Sequence, residues 1–143
     1  MSATNHESHA GGCLCGAVRY RVTGEALFVT YCHCGMCRKS SGGVTAAWAA
    51  FNKTQVSWEA GRLRHYNSSE KLNRGFCGTC GSSLTFERDN FDKIGLAVAT
   101  LDDPGRYPPQ RHIYTADCVP WLRLEDDLPR FARQAPGIAT PED

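Results

Sequence analysis

The sequence predicts a small all-β domain, and three observations support this fold class. Short runs of apolar or alternating residues recur along the chain, separated by glycine, asparagine, aspartate and serine. No sustained helical periodicity of apolar residues accompanies them. The length of 143 residues fits one domain, which can bury roughly two-thirds of its unfolded surface.

The strands can be placed in order along the chain. Val18, Tyr20 and Val22 alternate with two arginines, the period-two pattern of a half-buried strand. β-Branched, aromatic or alternating segments predict further strands at residues 28–31, 44–51, 56–58, 63–66, 71–76, 83–87, 93–99 and 112–115. A helical turn is predicted only at 128–132. The cysteines fall at strand ends and in glycine-rich turns, where a rigid sheet presents functional residues on loops.

One folded domain is predicted over residues 11–133. Residues 1–10 are polar and lack an apolar run, so they are interpreted as a disordered lead-in and not as a secretory signal. Residues 134–143 are interpreted as a flexible tail. The sequence shows no internal repeat, no low-complexity segment and no linker.

Charge and hydropathy restrict the function classes. The net charge of +1 does not indicate a broad electrostatic surface for nucleic acid or membrane. No apolar stretch reaches the length needed to span a bilayer. Arg38, Lys39 and Arg74 lie near cysteines and suit one small anion better than a polyanion. We therefore expect no nucleic-acid partner, no membrane partner and a cytoplasmic location.

Eight cysteines in such a chain indicate metal binding or catalysis, because thiols stay reduced in the cytosol. Cys77 and Cys80 form a CxxC pair followed by Gly81, the pattern of a zinc knuckle in a tight turn. A structural zinc takes four ligands, and Cys13 and Cys15 supply an equivalent pair. The sequence therefore predicts a closed four-thiolate zinc site, which stabilises a small β-fold and does no chemistry.

Cys32, Cys34 and Cys37 remain, all in one short loop. Three protein ligands leave the fourth zinc position open to a thiol, a water or a carbonyl, as in catalytic sites. Reactive thiols without metal are the alternative, and they would form a disulfide on mild oxidation. His33 is expected to be a polar loop residue or a donor behind the ligands. Cys118 is either a buried apolar thiol or a fourth ligand that would close this second zinc.

Arg38 and Lys39 follow the three cysteines directly, and two interpretations stay open. They either compensate the negative charge of a thiolate-rich zinc or bind a substrate carboxylate, for which the forked guanidinium of arginine is suited. His112 is expected to be a hydrogen-bonded, partly buried histidine. Trp48 is expected to be a core residue.

Three segments carry a resemblance to a known family: residues 12–20 (GCLCGAVRY), 32–38 (CHCGMCR) and 74–82 (RGFCGTCGS). They resemble the glutathione-dependent formaldehyde-activating enzyme family, also called the centromere protein V family. Residues 112–114 (HIY), 120–121 (PW) and 126–131 (DDLPRF) are similar to the C-terminal segment of that family. The resemblance extends from about residue 11 to residue 131.

The resemblance implies the family's β-tent, an all-β fold stapled by zinc. It also implies addition of formaldehyde to glutathione, giving S-hydroxymethylglutathione, whose reversal is a carbon–sulfur lyase step. The structural zinc it implies has the ligands Cys13, Cys15, Cys77 and Cys80. The catalytic zinc it implies has the ligands Cys32, Cys34 and Cys37.

The leading hypothesis is a zinc-dependent carbon–sulfur lyase-type enzyme. It would act on an adduct of glutathione, or a similar thiol, with formaldehyde or another small aldehyde. Cys32, Cys34 and Cys37 would be catalytic, while Arg38 and Lys39 would bind the carboxylates of the thiol. The alternative is a non-catalytic zinc-binding interaction module, and self-association into a homodimer stays open.

Overall fold

The computed structural model describes residues 7–136, and within this range the chain forms ten β-strands and one short α-helix. The all-β class is confirmed. The helix α1, Gly35–Ser41, lies between β3 and β4. The strands are β1 (Ser8–Gly12), β2 (Arg19–Thr23), β3 (Phe28–Cys32), β4 (Ala46–Asn52), β5 (Val56–Ala60), β6 (Leu63–Asn67), β7 (Leu72–Cys77), β8 (Ser83–Arg88), β9 (Lys93–Ala97) and β10 (His112–Ile113).

The strands form two sheets that share a core. The larger sheet has the order β10-β3-β4-β9-β8-β7-β6, and the smaller one has the order β1-β2-β5. Tyr20 and Val22 of the smaller sheet pack with Val29, Phe51 and Leu96 of the larger sheet. Since side chains alternate between the faces of a strand, the other face of the larger sheet carries a different set of residues, and the candidate site lies there.

The strand β1 was not predicted from the sequence. It pairs antiparallel with β2, so residues 8–10 of the expected lead-in belong to the fold. A Cβ atom on Gly11 would lie 2.5 Å from the ring of Tyr20, so this strand depends on a close approach that only glycine allows. Residues 1–6 lie outside the described residues.

The helix prediction at 128–132 was wrong. The backbone there is extended and runs beside β10: His112 N–H donates to the carbonyl of Pro129, and Phe131 N–H donates to the carbonyl of His112, both at 2.9 Å. Pairing with a strand satisfies these backbone groups in place of a helical turn.

The helix α1 was missed because seven residues are too few for a hydrophobic period. It begins at Cys34, whose sulfur accepts a hydrogen bond from Cys37 N–H, and it ends at Gly42 with φ 77°. None of the helices in the described range is long and apolar enough to cross a membrane.

The C-terminal boundary also differs from the expectation. Ala135 lies in the segment predicted as a flexible tail, but it is buried in an apolar cluster that also contains Cys37 and Ile113. Residues 137–143 lie outside the described residues.

Candidate metal centres and substrate cavity

The first cysteine cluster brings together the two pairs of cysteines that were predicted to form the structural zinc site. Cys13 and Cys15 lie in the turn after β1, Cys77 ends β7, and Cys80 lies in the following turn. Their four sulfurs lie within 4.8 Å of one another, with 3.6 Å between Cys13 and Cys15 and 3.8 Å between Cys15 and Cys77. Zinc–sulfur bonds of 2.3 Å place the sulfurs of a tetrahedral site about 3.8 Å apart. The cluster therefore fits a zinc ion.

Backbone and hydroxyl groups around this cluster favour thiolate. Cys80 N–H lies 3.4 Å from the sulfur of Cys77, and Val18 N–H lies 3.2 Å from that of Cys13. Hydrogen bonds from the hydroxyl and backbone of Ser82 lower the pKa of Cys80 to about 5. Gly81, with φ 80°, permits the tight turn expected after the CxxC pair.

The second cluster contains Cys32, Cys34 and Cys37, and their sulfurs also lie within 4.8 Å of one another. Cys32 ends β3, and the start of α1 turns the other two back towards it. Cys118 lies outside this set, and its thiol is 3.6 Å from the carbonyl oxygen of Val119. All eight cysteines of the chain are free thiols in the described range. Three thiols at ligand spacing fit a zinc ion that keeps one position for another group.

Arg74 is the charged partner of the second cluster. Its side chain is 4 % exposed, and its guanidinium lies 3.7 Å from the sulfur of Cys37 and 3.3 Å from the hydroxyl of Ser40. Hydrogen bonds from Cys32 and Cys34, reinforced by the charge of Arg74, hold the pKa of Cys37 well below its usual value. Arg74 forms no ion pair with a carboxylate among residues 7–136. Its charge therefore compensates the thiolates.

A cavity of about 380 Å³ opens beside this cluster, on the face of the larger sheet that points away from the main core. Cys32, Cys34, Cys37 and Arg74 form one part of its lining. The charged groups Arg88, Lys93 and Asp117 also line it. The remaining wall is mostly apolar and includes Phe28, Trp48, Phe86, Phe91, Ile113 and Tyr114.

Two polar side chains in this wall have unusual surroundings. Thr30 and Trp48 line the cavity at 4 % and 5 % exposure, and within the described residues neither Thr30 Oγ1 nor Trp48 Nε1 has a hydrogen-bond partner. Leaving such a group unsatisfied costs about 1–3 kcal/mol, so each one calls for an explanation. Sequence reasoning assigned no site role to either residue.

A second, more polar groove of about 650 Å³ adjoins the cavity. The two share Gly35, Met36 and Arg74, and the groove is also lined by Lys39 and Ser40. Of the two cations expected to bind a carboxylate, Lys39 therefore lies in this groove. Arg38 lines neither space, and its Nε lies 3.5 Å from the carbonyl oxygen of His33.

A chain of hydrogen bonds that begins at the buried His33 and His112 supports the loop that carries the three cysteines. His33 Nε2 lies 2.9 Å from His112 Nδ1, and His112 Nε2 lies 3.0 Å from an oxygen of Asp126. Arg130 pairs with the same carboxylate at 3.1 Å. A carboxylate accepts, so His112 donates to Asp126 and accepts from Nε2–H of His33. His112 is thus a hydrogen-bonded buried histidine, as expected.

His33 lies outside the converging ligand atoms, so it acts behind the cysteines, as the sequence suggested. Burial lowers the pKa of His33, and the nearby His112 and Arg130 act in the same direction, so its ring is neutral. Burial opposes ionisation of Asp126, but hydrogen bonds from His112 and from Leu128 N–H outweigh it and hold the pKa of Asp126 below its usual value.

The family profile of the glutathione-dependent formaldehyde-activating enzyme matches residues 8–117. A Halomonas elongata protein, provisionally named a glutathione-dependent formaldehyde-activating enzyme, is 28 % identical over 125 residues, covering 80 % of each chain. A Schizosaccharomyces pombe protein named an uncharacterized lyase is 33 % identical over 82 residues.

The match with the yeast protein covers 57 % of this chain and 59 % of that protein, less than two-thirds of its length. Among solved structures, the crystal structure of a Rhodobacter sphaeroides protein is similar, with a TM-score of 0.55 and 28 % sequence identity. That similarity covers 65 % of this chain and 87 % of the other. With the profile matched over most of the chain, the protein belongs to the glutathione-dependent formaldehyde-activating enzyme family.

Proposed function

We propose that this chain catalyses the reversible addition of a thiol, glutathione or a close analogue, to the carbonyl carbon of an aldehyde. The family assignment supports a reaction of this class, as do one relative named a lyase and another named a glutathione-dependent formaldehyde-activating enzyme. One observation carries the proposal: three cysteines at ligand spacing lie beside a cavity that they help to line. A purely structural zinc site has no need of such a cavity.

The cysteines Cys32, Cys34 and Cys37 would hold a catalytic zinc ion. When bound, zinc lowers the pKa of a coordinating thiol and so favours the thiolate at neutral pH. Arg74, buried beside Cys37, balances the negative charge of the cysteine ligands. We assign the cluster of Cys13, Cys15, Cys77 and Cys80 a structural role. It joins two distant turns, and none of its four cysteines lines the cavity or the groove.

The groove beside α1 suits the peptide part of the thiol. Lys39 and Arg74 supply positive charge, and Ser40 and Ser68 supply hydroxyl groups. These groups fit the carboxylates and amides of a small peptide. Lys39 therefore keeps the role expected of it, whereas we assign Arg38 to bracing the cysteine loop, since it approaches the carbonyl of His33.

The chemistry is a redox-neutral addition. The thiol sulfur forms a bond to the carbonyl carbon, the π pair moves to the oxygen, and the proton lost by the thiol ends on that oxygen. In reverse, the carbon–sulfur bond breaks and the carbonyl re-forms. The mostly apolar wall of the cavity strengthens the electrostatic effect of Arg74 on the cysteine thiolates beside it.

We also propose a cytoplasmic location, since zinc-bound and free thiols need a reducing compartment. The function is tested by exchange NMR of formaldehyde with glutathione, with and without the zinc-loaded protein. We expect faster exchange that is lost when a chelator removes the second zinc and restored when zinc is returned. If neither formaldehyde nor any other aldehyde shows faster exchange, the interaction-module hypothesis is favoured.

A further inference from the structure

The two residues that carry unpartnered polar groups in the cavity wall are neighbours across two strands. Thr30 of β3 and Trp48 of β4 are directly opposed in the antiparallel pair, so their side chains share one face of the sheet. Cys32 lies two residues beyond Thr30, on the same face and about 6.6 Å further along the strand. A molecule that touches Thr30 and Trp48 is therefore close to the three cysteines.

The chemistry of the two groups defines what they can bind. Indole Nε1–H only donates, and a threonine hydroxyl donates readily, so both suit one oxygen acceptor. Neither group has a partner in the described part of the chain, although both residues are buried. A ligand oxygen held between them would satisfy both.

The surroundings of the pair define the rest of the ligand. Trp48 packs edge-on against Phe86 at 5.1 Å, and Phe28 lies on the same face of β3. A one-carbon aldehyde would fill a small part of a space of about 380 Å³ with such walls. A carbonyl compound with a bulky apolar group would fill it far better.

We propose that Thr30 and Trp48 form a two-donor subsite for the carbonyl oxygen of an aldehyde that carries a bulky apolar, preferably aromatic, substituent. This inference rests on the proposed function and deepens it. As sulfur bonds to the carbonyl carbon, the oxygen gains the π pair and becomes an alkoxide, which then takes the proton released by the thiol. The two donors stabilise that developing charge, and Thr30 and Trp48 are thus catalytic residues.

The binding part of the inference is tested by NMR on the ¹⁵N-labelled, zinc-loaded protein. The chain has three tryptophans, and a Trp48→Phe variant identifies the indole Nε1–H signal of Trp48. The probes are acetophenone, cumene, which has a methyl group in place of the oxygen, and acetone, which lacks the ring. We expect acetophenone to move the Trp48 signal downfield, cumene to bind without that shift, and acetone to bind at least tenfold more weakly than acetophenone.

The variant Thr30→Val gives an isosteric test. It should weaken acetophenone binding about five- to tenfold and leave cumene binding unchanged. Its melting temperature should equal or exceed that of the wild type, because no protein hydrogen bond is lost. The matched control is Thr85→Val: Thr85 is also buried in the larger sheet, but its hydroxyl accepts from Gly75 N–H, so this variant should melt lower.

The kinetic part uses the addition of glutathione to benzaldehyde. Thr30→Val and Trp48→Phe should each lower kcat/KM by about 10- to 100-fold, and Thr30→Val should do so while its fold is intact. Acceleration that both variants retain would overturn the subsite and leave the proposed function standing. An acetophenone shift without any acceleration by the wild type would support the subsite and overturn the proposed function. Equal shifts with acetophenone and cumene, or equal affinities for acetophenone and acetone, would overturn the inference.

Discussion

The guanidinium of Arg74 lies 3.7 Å from the sulfur of Cys37, and both side chains are buried. A buried cation without a carboxylate partner in the described residues is costly unless another negative charge balances it. The thiolates of the second cluster supply that charge. The relationship also joins the apolar cavity to the polar groove, because Arg74 lines both.

Replacing Arg74 should therefore weaken metal binding by the second cluster. Without this cation the pKa of Cys37 rises and less thiolate is present at a given pH. We expect Arg74→Gln to lower the zinc affinity of this cluster about 10- to 100-fold, measured by competition with a chromophoric chelator. Arg74→Lys, which keeps the charge, should lose less. An Arg74→Gln variant with wild-type affinity would remove Arg74 from the account.

The four-cysteine cluster should determine whether the domain folds. Cys77→Ser removes one of the four ligands from a site that joins the turn after β1 to the end of β7. Since binding of a structural zinc contributes directly to folding, we expect this variant to be largely unfolded by circular dichroism and to bind no tight zinc. The control is Cys118→Ser, which should fold and bind two zinc ions. A folded, stable Cys77→Ser protein would contradict the structural role.

The hydrogen bond between His112 and Asp126 should stabilise the cysteine loop from behind. His112→Phe keeps a ring to stack on Tyr31, 4.8 Å away, but leaves His33 Nε2 and the Asp126 carboxylate without this partner. We expect a loss of about 1–3 kcal/mol in the free energy of unfolding, measured with urea in excess zinc. Asp127→Asn, at an exposed neighbouring position, should change nothing. A His112→Phe variant as stable as the wild type would disprove the supporting role.

Burial of Tyr20 gives the protein a predictable alkaline limit. Burial raises the pKa of Tyr20 to about 12, although its hydrogen bond with Thr100 opposes this, while an unfolded tyrosine titrates near about 10. The folded chain then holds a proton that the unfolded chain releases. Its contribution to stability is complete below about pH 10 and is lost as the pH rises to about 12, by about 3 kcal/mol in total.

The variant Tyr20→Phe cannot titrate at this position. Its free energy of unfolding should therefore fall less steeply than that of the wild type between about pH 10 and about pH 12. Urea denaturation at a series of pH values measures the difference between the two proteins. Parallel pH profiles would show that Tyr20 is not buried as the structure has it.

The division of the cysteines could be predicted from the sequence because it depends on local spacing. Two pairs at two- and three-residue spacing separate from a group of three in one loop, and the structure brings together the same two sets. Nine strands could be predicted for a similar reason, because alternation is a local signal. The alternation of Val18, Tyr20 and Val22 with two arginines, for example, predicted the strand β2.

The remaining features depend on contacts between distant residues. Strand β1 depends on the close approach of Gly11 to Tyr20. Helix α1 is capped by Cys34 and is too short to show a hydrophobic period in the sequence. The roles of Thr30 and Trp48 follow from the register of two strands, which a single segment does not specify. Alternation along β3 puts Thr30 on the same face as Cys32, which is a signal in the sequence that no prediction used.

The central claim is that the second cluster catalyses the addition of a thiol to an aldehyde. Its most direct test is the rate of glutathione–formaldehyde exchange by NMR for zinc-loaded wild type and for Cys34→Ser. Serine caps a helix well, so this variant should keep α1, the fold and the structural zinc. We predict that Cys34→Ser loses the acceleration while its circular dichroism and tightly bound zinc match the wild type. Full acceleration by the Cys34→Ser protein would contradict the account.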